Sequence, residues 1–381
     1  MVDFRRRLSW LQAKMEDQGL DLIVYGNAPD VQYLSGSQVD WRRCRDLRHP
    51  EDCLFIPMDG DPILMAGVYS AERAKTSWIK DIRNIGLLHD FKPAVQKAIR
   101  ELISEPKTVA IGEYTWGNMT LAVASTCKGA KFRNADGLLD DLRMIKEPSE
   151  LEKLKSSAKL TEDVMEEVIT GIGEGDTMHE LTVKIEAIGR KRHASDVSFM
   201  PKGLFYKSRG PTTHLATNYE QDQGLEPGSS IAFDVGFILD GYCSDWGRSF
   251  NLGNPWEHLS KAYEALAASV VETIDTIGEE VHSTDEVFPS IEAVCDREGY
   301  GDELRDWQPD GIVGHQIGVE CHEPPWLKPG DGMELQDNMV FCMEPKLWKN
   351  GEYFLRVEDM VLIRNGRAES LTNYDRVQFQ L

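Results

Sequence analysis

The amino-acid sequence predicts two domains, an α/β domain over residues 1–147 and an α+β domain over residues 148–381. Three observations support this division. The chain has 381 residues, which exceeds the usual length of a single domain. Its first third alternates short apolar strands with helical patterns. After Pro148, long helical patterns are separated from runs of alternating strands, which is typical of α+β proteins.

The elements of the first domain follow one another in a simple order. Leu8, Leu11 and Met15 recur at helical spacing, and Gly19 ends that helix. An Asp-Gly pair at 59–60 lies between two apolar strands and predicts a hairpin. A second helix and a further strand follow. The predicted strands are 22–25, 53–57, 62–66 and 108–111, and the second helix is 91–103.

The second domain opens with a long helix, for which Ser149 is the predicted N-cap and Glu152 completes a capping box. An apolar alternating stretch over 230–250 is broken by Asp240 and Gly241, which predicts two antiparallel strands joined by a tight turn. Short strands with Gly and Pro turns run to the C-terminus. The predicted helices are 149–169, 178–192, 257–277 and 284–298.

Composition argues against several classes of partner. Asp and Glu total 64 against 42 Lys and Arg, so the net charge is −22 at pH 7. This balance disfavours nucleic acid and anionic membrane surfaces. No apolar run approaches the roughly 18–20 residues of a transmembrane helix, and the charged first residues lack the apolar core of a signal peptide. The seven cysteines form no CxxC pair, so we expect a reduced, cytoplasmic location.

Two carboxylates flank the predicted turn of the second domain. Asp234 lies inside an apolar strand, where an unpaired carboxylate is costly unless it is hydrogen-bonded or bound to a metal. Asp245 lies on the returning strand, so both carboxylates could face one point. Alternatively, Asp245 begins a turn and Asp234 is a hydrogen-bonded edge residue.

Three later segments carry the other candidate site residues. His315 and His322 lie seven residues apart among Gly and Pro residues. A single His is more often structural than a ligand, but two in such a segment also fit a binding site. Glu344 ends an apolar run. Arg356 and Glu358 are two apart and share one face of a strand, where a buried ion pair is the alternative.

Together these segments supply an oxygen-rich donor set with one imidazole. Such donors suit two divalent ions such as Mn²⁺ or Co²⁺ better than a single thiolate-bound zinc. Two ions about 3.5–4 Å apart can share a water, lower its pKa and polarise a carbonyl group. The donor residues are Asp234, Asp245, His315, Glu344 and Glu358.

These segments resemble the signature of the pita-bread metallopeptidases, which include methionine aminopeptidase, aminopeptidase P, prolidase and creatinase relatives. The resemblance covers about residues 150–370. The N-terminal stretch with Asn27 and Tyr33, and the linker near Arg143, resemble the aminopeptidase P and prolidase branch. The resemblance implies a pita-bread catalytic domain preceded by a creatinase-like N-terminal domain. The matching segments are Asp234-Val-Gly236, Gly241-Tyr-Cys-Ser-Asp245-Trp-Gly-Arg248, Gly314-His315-Gln-Ile-Gly318, His322-Glu-Pro324, Glu344-Pro345 and Arg356-Val-Glu358-Asp359.

The resemblance also implies a role for each donor residue. Asp234 would be a bidentate ligand to one ion, and Asp245 and Glu358 would bridge both ions. His315 and Glu344 would complete one ion each. Mn²⁺ is the expected metal, with Co²⁺, Zn²⁺ or Fe²⁺ as alternatives.

Further residues would act on the substrate. Glu344 would also be the general base for the bridging water, and His322 would contact the substrate carbonyl. Arg356 would support the substrate or the ligands. His214 would be a second substrate-side histidine, although it stands about three residues too early relative to Asp234.

Three positions depart from the family pattern. Gly247, Gln316 and Lys346 stand where family members usually have Thr, Gly and Gly. Lys346 could bind a substrate carboxylate or project into solvent. The expected function is metal-dependent hydrolysis of the Xaa-Pro bond of dipeptides or short peptides. The alternatives are a relative acting on a small non-peptide compound, such as an ectoine-type hydrolase or a sulfoniopropionate lyase, and a non-catalytic binding member.

A Trp and several Arg at residues 40–43 fit neither a strand nor a helix. We expect a homodimer in which this loop reaches toward the partner's active site. A surface loop paired with local acidic residues is the alternative. The expected partners are thus a second copy of the chain and a small peptide or small-molecule substrate, with no nucleic acid and no membrane.

Overall fold

A computed structural model describes residues 2–38, 52–68, 70–86, 91–207, 224–330 and 332–381. The chain divides into two compact units, Met1–Arg143 and Met144–Leu381, whereas the sequence places the boundary a few residues later, at 147/148. Among the described residues, the first unit has one sheet and the second has two, and each unit has its own apolar core. Within the described ranges, no helix is long and apolar enough to cross a membrane.

In the described part of the first unit, helices alternate with the strands of one sheet. The strands are β1 (Leu22–Tyr25), β2 (Cys53–Pro57), β3 (Ile63–Gly67), β4 (Asp81–Ile85), β5 (Thr108–Ile111) and β6 (Lys131–Asn134). The helices are α1 (Phe4–Gln18), α2 (Pro29–Ser35), α3 (Ala71–Ala74), α4 (Phe91–Leu102), α5 (Gly117–Thr126) and α6 (Asp140–Met144).

The sheet of the first unit is mixed, with the strand order β4-β3-β2-β1-β5-β6. The predicted strands coincide with β1, β2 and β5 and differ by one residue from β3. Gly19 ends α1 with φ of 64°, a left-handed conformation that glycine adopts without strain. The hairpin at Asp59-Gly60 is confirmed by the antiparallel pairing of β2 with β3. The apolar sides of α4 and α5 pack on the sheet.

The second unit is larger and its helices are separate from its strands. The helices are α7 (Pro148–Ile169), α8 (Met178–Lys191), α9 (Glu257–Thr276), α10 (Val287–Arg297) and α11 (Gly301–Trp307). The strands are β7 (Asp196–Val197), β8 (Lys202–Lys207), β9 (Ser229–Val235), β10 (Phe237–Leu239), β11 (Tyr242–Cys243), β12 (Trp246–Asn251), β13 (Gly314–Gln316), β14 (Glu323–Leu327), β15 (Val340–Met343), β16 (Lys346–Lys349), β17 (Tyr353–Arg364) and β18 (Arg367–Ser370).

A large antiparallel sheet dominates the second unit. Its strand order is β14-β13-β15-β17-β12-β9-β8, and β16 and β18 also pair with β17. A small sheet has the order β11-β10-β7. The predicted α+β class of this domain is therefore confirmed.

The start of α7 corrects the predicted cap. The N-cap is Glu147, with Pro148 in the first turn, so the prediction of Ser149 is wrong. The backbone N–H of Glu147 donates to Glu150 Oε2 at 2.9 Å, which places the capping box two residues earlier than predicted. Proline is favoured at the first helical position because its φ is already helical and it has no N–H to satisfy.

The predicted single hairpin of the second domain is wrong in one respect. Asp240 and Gly241 do form the tight turn, with φ of 49° and 80°, but this turn joins β10 to β11 in the small sheet. The rest of the ladder pairs β9 with β12 in the large sheet. The ladder is interrupted where the Ser244 hydroxyl accepts a 3.0 Å hydrogen bond from the Phe237 N–H. A Cβ on Gly236 would lie 2.0 Å from the Ser244 carbonyl oxygen, so this close approach requires glycine.

The large sheet has one apolar face and one polar face. Phe233, Phe341 and Val357 belong to the buried clusters formed with residues of α7 to α10. Successive side chains of a strand point to opposite faces, so Asp234 and Glu358 point away from these helices. The helices cover one face, and the other face carries the polar side chains described next.

Candidate active site

Strand register aligns acidic residues across the polar face. Asp234 on β9 and Glu358 on β17 both pair with Gly247 on β12, so these three residues lie in one row. Glu344 follows β15 directly and extends the row through the register of β15 with β17. Three carboxylates from distant parts of the chain are thus brought together by backbone pairing.

A second row lies two residues further along the strands. His315 on β13 pairs with Cys342 on β15, and Cys342 pairs with Met360 on β17. Asp245 lies two residues before Gly247. Residues two apart in a strand share a face, so this row faces the same way as the first. The structure therefore brings all five predicted ligand residues to one patch of the sheet.

The donor atoms converge within this patch. His315 Nε2 lies 3.7 Å from Asp245 Oδ2 and 3.8 Å from Glu344 Oε1. In the described part of the chain, His315 Nε2, Asp245 Oδ1 and Glu358 Oε1 are buried without a hydrogen-bond partner. Buried polar atoms are rarely left unpaired, so the set fits a metal cation. One donor atom from each of four buried residues lies within 4.8 Å of the others: Asp245, His315, Cys342 and Glu358.

Two carboxyl groups of the patch have raised pKa values. Burial, and then the charge of Asp234, raise the pKa of Asp245 to about 8. Burial raises the pKa of Glu358 well above its usual range, although Arg356 opposes this effect. Without a compensating cation both groups favour the protonated form. A divalent ion bound between them would displace those protons.

Two cationic side chains contact Glu344. Arg356 Nη2 donates to Glu344 Oε2 at 2.6 Å, and Lys346 Nζ donates to the same oxygen at 2.5 Å. Burial by itself would raise the pKa of Glu344, but the charges of Lys346 and Arg356 hold that pKa well below its usual range. Arg356 also forms an ion pair with Asp234 and lies 2.9 Å from Glu358 Oε2. Only 13% of the Lys346 side chain is exposed, so it lies in the site rather than in solvent.

His322 lies on the outer side of the patch. Its ring centroid is 4.4 Å from that of His315 and 6.0 Å from that of Trp326. Burial lowers the pKa of His322, so the ring is neutral at pH 7 and keeps one N–H donor. A ring nitrogen lies within 4.8 Å of donor atoms of Asp245 and Cys321. This position permits either a metal ligand or a hydrogen-bond donor to a substrate.

A cavity of about 510 Å³ opens over the patch, within the roughly 300–1,000 Å³ that is usual for ligand sites. Lys202, which pairs with Asp234 in register, adds a further cation to its polar side. Trp307, Phe354 and Leu204 contribute to an apolar wall. The sequence gives no signal for these wall residues or for Lys202, because nothing in their spacing distinguishes a cavity wall from a core.

The structure gives Gln316 a supporting role. Lys146 Nζ donates to Gln316 Oε1 at 3.3 Å and forms a 2.8 Å ion pair with Glu323. All three residues are buried. A buried ion pair is stabilising only when the remaining donors and acceptors of both partners form hydrogen bonds. The Gln316 amide oxygen accepts one such bond from the Lys146 ammonium group. Gln316 thereby supports the segment that carries His315 and His322.

Gly247 leaves the space that the Arg356 side chain occupies. A Cβ at position 247 would lie 2.7 Å from Arg356 Cδ and 3.0 Å from Glu358 Oε2. We expect Gly247→Ala to lower the free energy of unfolding by about 1–3 kcal/mol, the usual cost of overpacking, as measured by chemical denaturation. Gly173→Ala is the matched control, because no atom lies within 4 Å of its added Cβ. Equal unfolding free energies for both variants would contradict this interpretation.

Two predictions fall outside the described residues. His214 and the loop at 40–43 both lie in undescribed segments of the chain. Their proposed roles therefore stay predictions.

Solved structures and a curated relative resemble this chain over nearly its whole length. A prolidase from Thermococcus sibiricus has a TM-score of 0.85 at 24% identity, with 100% of both chains covered. An X-Pro aminopeptidase from Thermotoga maritima has a TM-score of 0.79 at 22% identity, covering 97% of this chain and 100% of that chain. The Xaa-Pro dipeptidase of Pyrococcus furiosus is 23% identical over 372 residues, which is 98% of this chain and 99% of the relative. The structural likeness confirms the predicted fold.

Family models match both parts of the chain. Residues 7–145 match the creatinase/prolidase N-terminal domain, and residues 152–365 match metallopeptidase family M24. The second match covers more than half of the chain and contains all five predicted ligand residues. The chain therefore belongs to metallopeptidase family M24, with a pita-bread catalytic domain that follows a creatinase-like N-terminal domain.

Proposed function

We propose that this metallopeptidase hydrolyses the Xaa-Pro bond of dipeptides or short peptides. The observation that carries the proposal is the buried cluster of carboxylates and imidazole at the base of a cavity with cationic and apolar walls. The named activities of the Pyrococcus and Thermococcus relatives support it. A prolyl amide has no N–H and carries a fixed ring, so it needs a site that holds the carbonyl group and the chain terminus.

The ligand set fits two divalent ions. Asp245 and Glu358 lie at the centre of the patch and would be shared, while Asp234, His315 and Glu344 would complete the two coordination shells. Bound ions of this kind lower the pKa of a shared water and polarise the scissile carbonyl. Mn²⁺ suits an oxygen-rich set, and Co²⁺, Zn²⁺ and Fe²⁺ are the alternatives.

Three side chains of this protein would act on the substrate or its surroundings. Glu344, which its two cationic neighbours keep ionised, would accept the proton of the attacking water. His322 would donate its N–H to the carbonyl oxygen as negative charge develops there. Arg356 would hold the carboxylates of Asp234 and Glu344 in place through its contacts with both.

Metal analysis and peptide assays test this proposal. The full-length protein should bind divalent metal and hydrolyse Xaa-Pro dipeptides, and a comparison with Xaa-Pro-Yaa tripeptides would give its length preference. Failure to cleave any Xaa-Pro peptide in the presence of Mn²⁺, Co²⁺, Zn²⁺ or Fe²⁺ would overturn it. The non-catalytic alternative is disfavoured because all five predicted ligand positions carry side chains that can bind a metal. The named peptidase activities of the relatives favour a peptide over a small non-peptide substrate.

Lys346 is expected to bind the free carboxylate of a dipeptide substrate. Its ammonium group lines the cavity beside Glu344, and a hydrogen bond to a charged group contributes about 1.5–3 kcal/mol. Lys346→Met should therefore lower kcat/KM for an Xaa-Pro dipeptide by roughly 10–150-fold. The same dipeptide with an amidated C-terminus should be much less affected.

A variant on the same strand controls for the loss of charge. Lys349 also lies on β16, but its Nζ faces Glu303 and Glu352. Lys349→Met should leave kcat/KM unchanged for both the dipeptide and its amide. An equal loss on the dipeptide and on its amide in Lys346→Met would show that Lys346 does not recognise the carboxylate.

The homodimer and the cytoplasmic location stay predictions. Light scattering at micromolar concentration tests the dimer, which a monomeric mass would contradict.

A further inference from the structure

Cys342 lies among the ligand residues, although sulfur has no part in the function proposed above. It is fully buried on β15 and pairs directly with His315 on the neighbouring strand. Its Sγ lies within 4.8 Å of donor atoms of Asp245, His315 and Glu358. Cys342 is therefore placed as a fourth donor beside three residues of the metal patch.

The spacing of these four donors suits a single ion. Zinc binds sulfur at about 2.3 Å and nitrogen or oxygen at about 2.0–2.2 Å, so two donors of one ion lie at most about 4.5 Å apart. Small side-chain rotations would bring all four atoms to such distances. Three of the residues present buried atoms without a hydrogen-bond partner among the described residues: His315 Nε2, Asp245 Oδ1 and Glu358 Oε1.

A second buried thiol nearby has a different environment. Cys321 Sγ donates a 3.2 Å hydrogen bond to Asp245 Oδ2. This bond uses the proton that a thiol loses when it binds a metal. Cys321 thus orients the Asp245 carboxylate through a hydrogen bond and does not itself bind the ion. It is therefore the matched control for Cys342.

We propose that Cys342 binds, as a thiolate, the ion held by Asp245, His315 and Glu358. The thiol proton leaves to solvent as the metal–sulfur bond forms. Thiolate donors favour Zn²⁺, whereas sites of carboxylate and water oxygen suit Mn²⁺. The metal position beside Cys342 therefore selects a thiophilic ion. The second metal position, nearer Asp234, has oxygen donors. The inference rests on the metal centre of the proposed function but not on its substrate.

Cobalt spectroscopy tests the sulfur ligand directly. Co²⁺ added to the metal-free full-length protein should produce a thiolate-to-cobalt charge-transfer band in the near ultraviolet. Cys342→Ser should abolish this band, and Cys321→Ser should retain it. A wild-type protein that binds Co²⁺ without the band, or a band that persists in Cys342→Ser, would overturn the proposal.

Metal affinities provide a second readout. Loss of an outer-shell partner typically weakens metal binding by about 10–100-fold, so Cys342→Ser should weaken Zn²⁺ binding by at least that factor and Mn²⁺ binding far less. If the variant does not fold, X-ray absorption at the zinc edge of the wild-type protein should show a sulfur neighbour at about 2.3 Å. A spectrum with only nitrogen and oxygen neighbours would refute the inference. A sulfur neighbour without Xaa-Pro hydrolysis would instead refute the proposed function alone.

Discussion

Glu358→Gln is expected to release the two metal ions of the proposed centre and to remove nearly all of the proposed peptide hydrolysis. Glu358 lies at the centre of the ligand row, between strands that carry the other carboxylates. A shared carboxylate offsets the repulsion between two cations, and a neutral amide of the same size does not. The loss of metal affinity should exceed the about 10–100-fold cost of losing an outer-shell partner. Elemental analysis after dialysis, together with kcat/KM for an Xaa-Pro dipeptide, measures both effects.

Two further variants distinguish the loss of a metal ligand from the loss of a negative charge elsewhere in the protein. Asp245→Asn should behave like Glu358→Gln, because its carboxylate is also buried between donors. Glu352→Gln, on a half-exposed side chain near the same strand, should keep the metals and the activity. Two equivalents of metal bound at unchanged affinity in Glu358→Gln would show that the ligand assignment is wrong.

His322→Ala is expected to retain the metals and the fold while turnover falls by about 10²–10³-fold, the usual effect of losing one donor to a developing oxyanion. The ring lines the cavity and stacks at 20° to Trp326, which holds it beside the space where a substrate carbonyl would lie. A donor at that point contributes mainly in the transition state, so kcat should fall more than KM changes. Steady-state kinetics and metal content measure the two properties separately.

Each other outcome for His322→Ala has a definite meaning. A fall in metal content would make His322 a ligand, which its distance from Asp245 permits. Unchanged turnover on every cleaved peptide would leave it a structural residue. Trp326→Ala is a useful companion, because it removes the stacking partner without removing the proton donor, and it should lower turnover less.

The local elements of this fold could be predicted from neighbouring residues. Gly19 ends α1, and the Asp-Gly pairs at 59–60 and 240–241 form turns, because positive φ angles select these residue types within a few positions of the chain. The α7 cap was the exception. Glu147, followed by Pro148 and Glu150, forms the N-cap two residues before Ser149, which was an equally plausible N-cap by residue type. Alternative caps of this kind shift the predicted start of a helix by a few residues, but they do not change whether the helix forms.

The five candidate ligand residues could also be selected from the sequence. Each stands inside an apolar strand or a segment with Gly or Pro, and a carboxylate in such surroundings requires a partner. The structure brings all five together. What the sequence determined was thus a set of candidate donors, which the fold brings together, and the turns that flank them.

The tertiary structure alone decided which further residues share the site. Cys342 pairs with His315, and Lys202 pairs with Asp234 beside the cavity. The two members of each pair lie tens of residues apart in the sequence, and the register of their strands is set by packing of the whole sheet. Since one step of register moves every side chain of a strand to the other face, no local pattern could identify them.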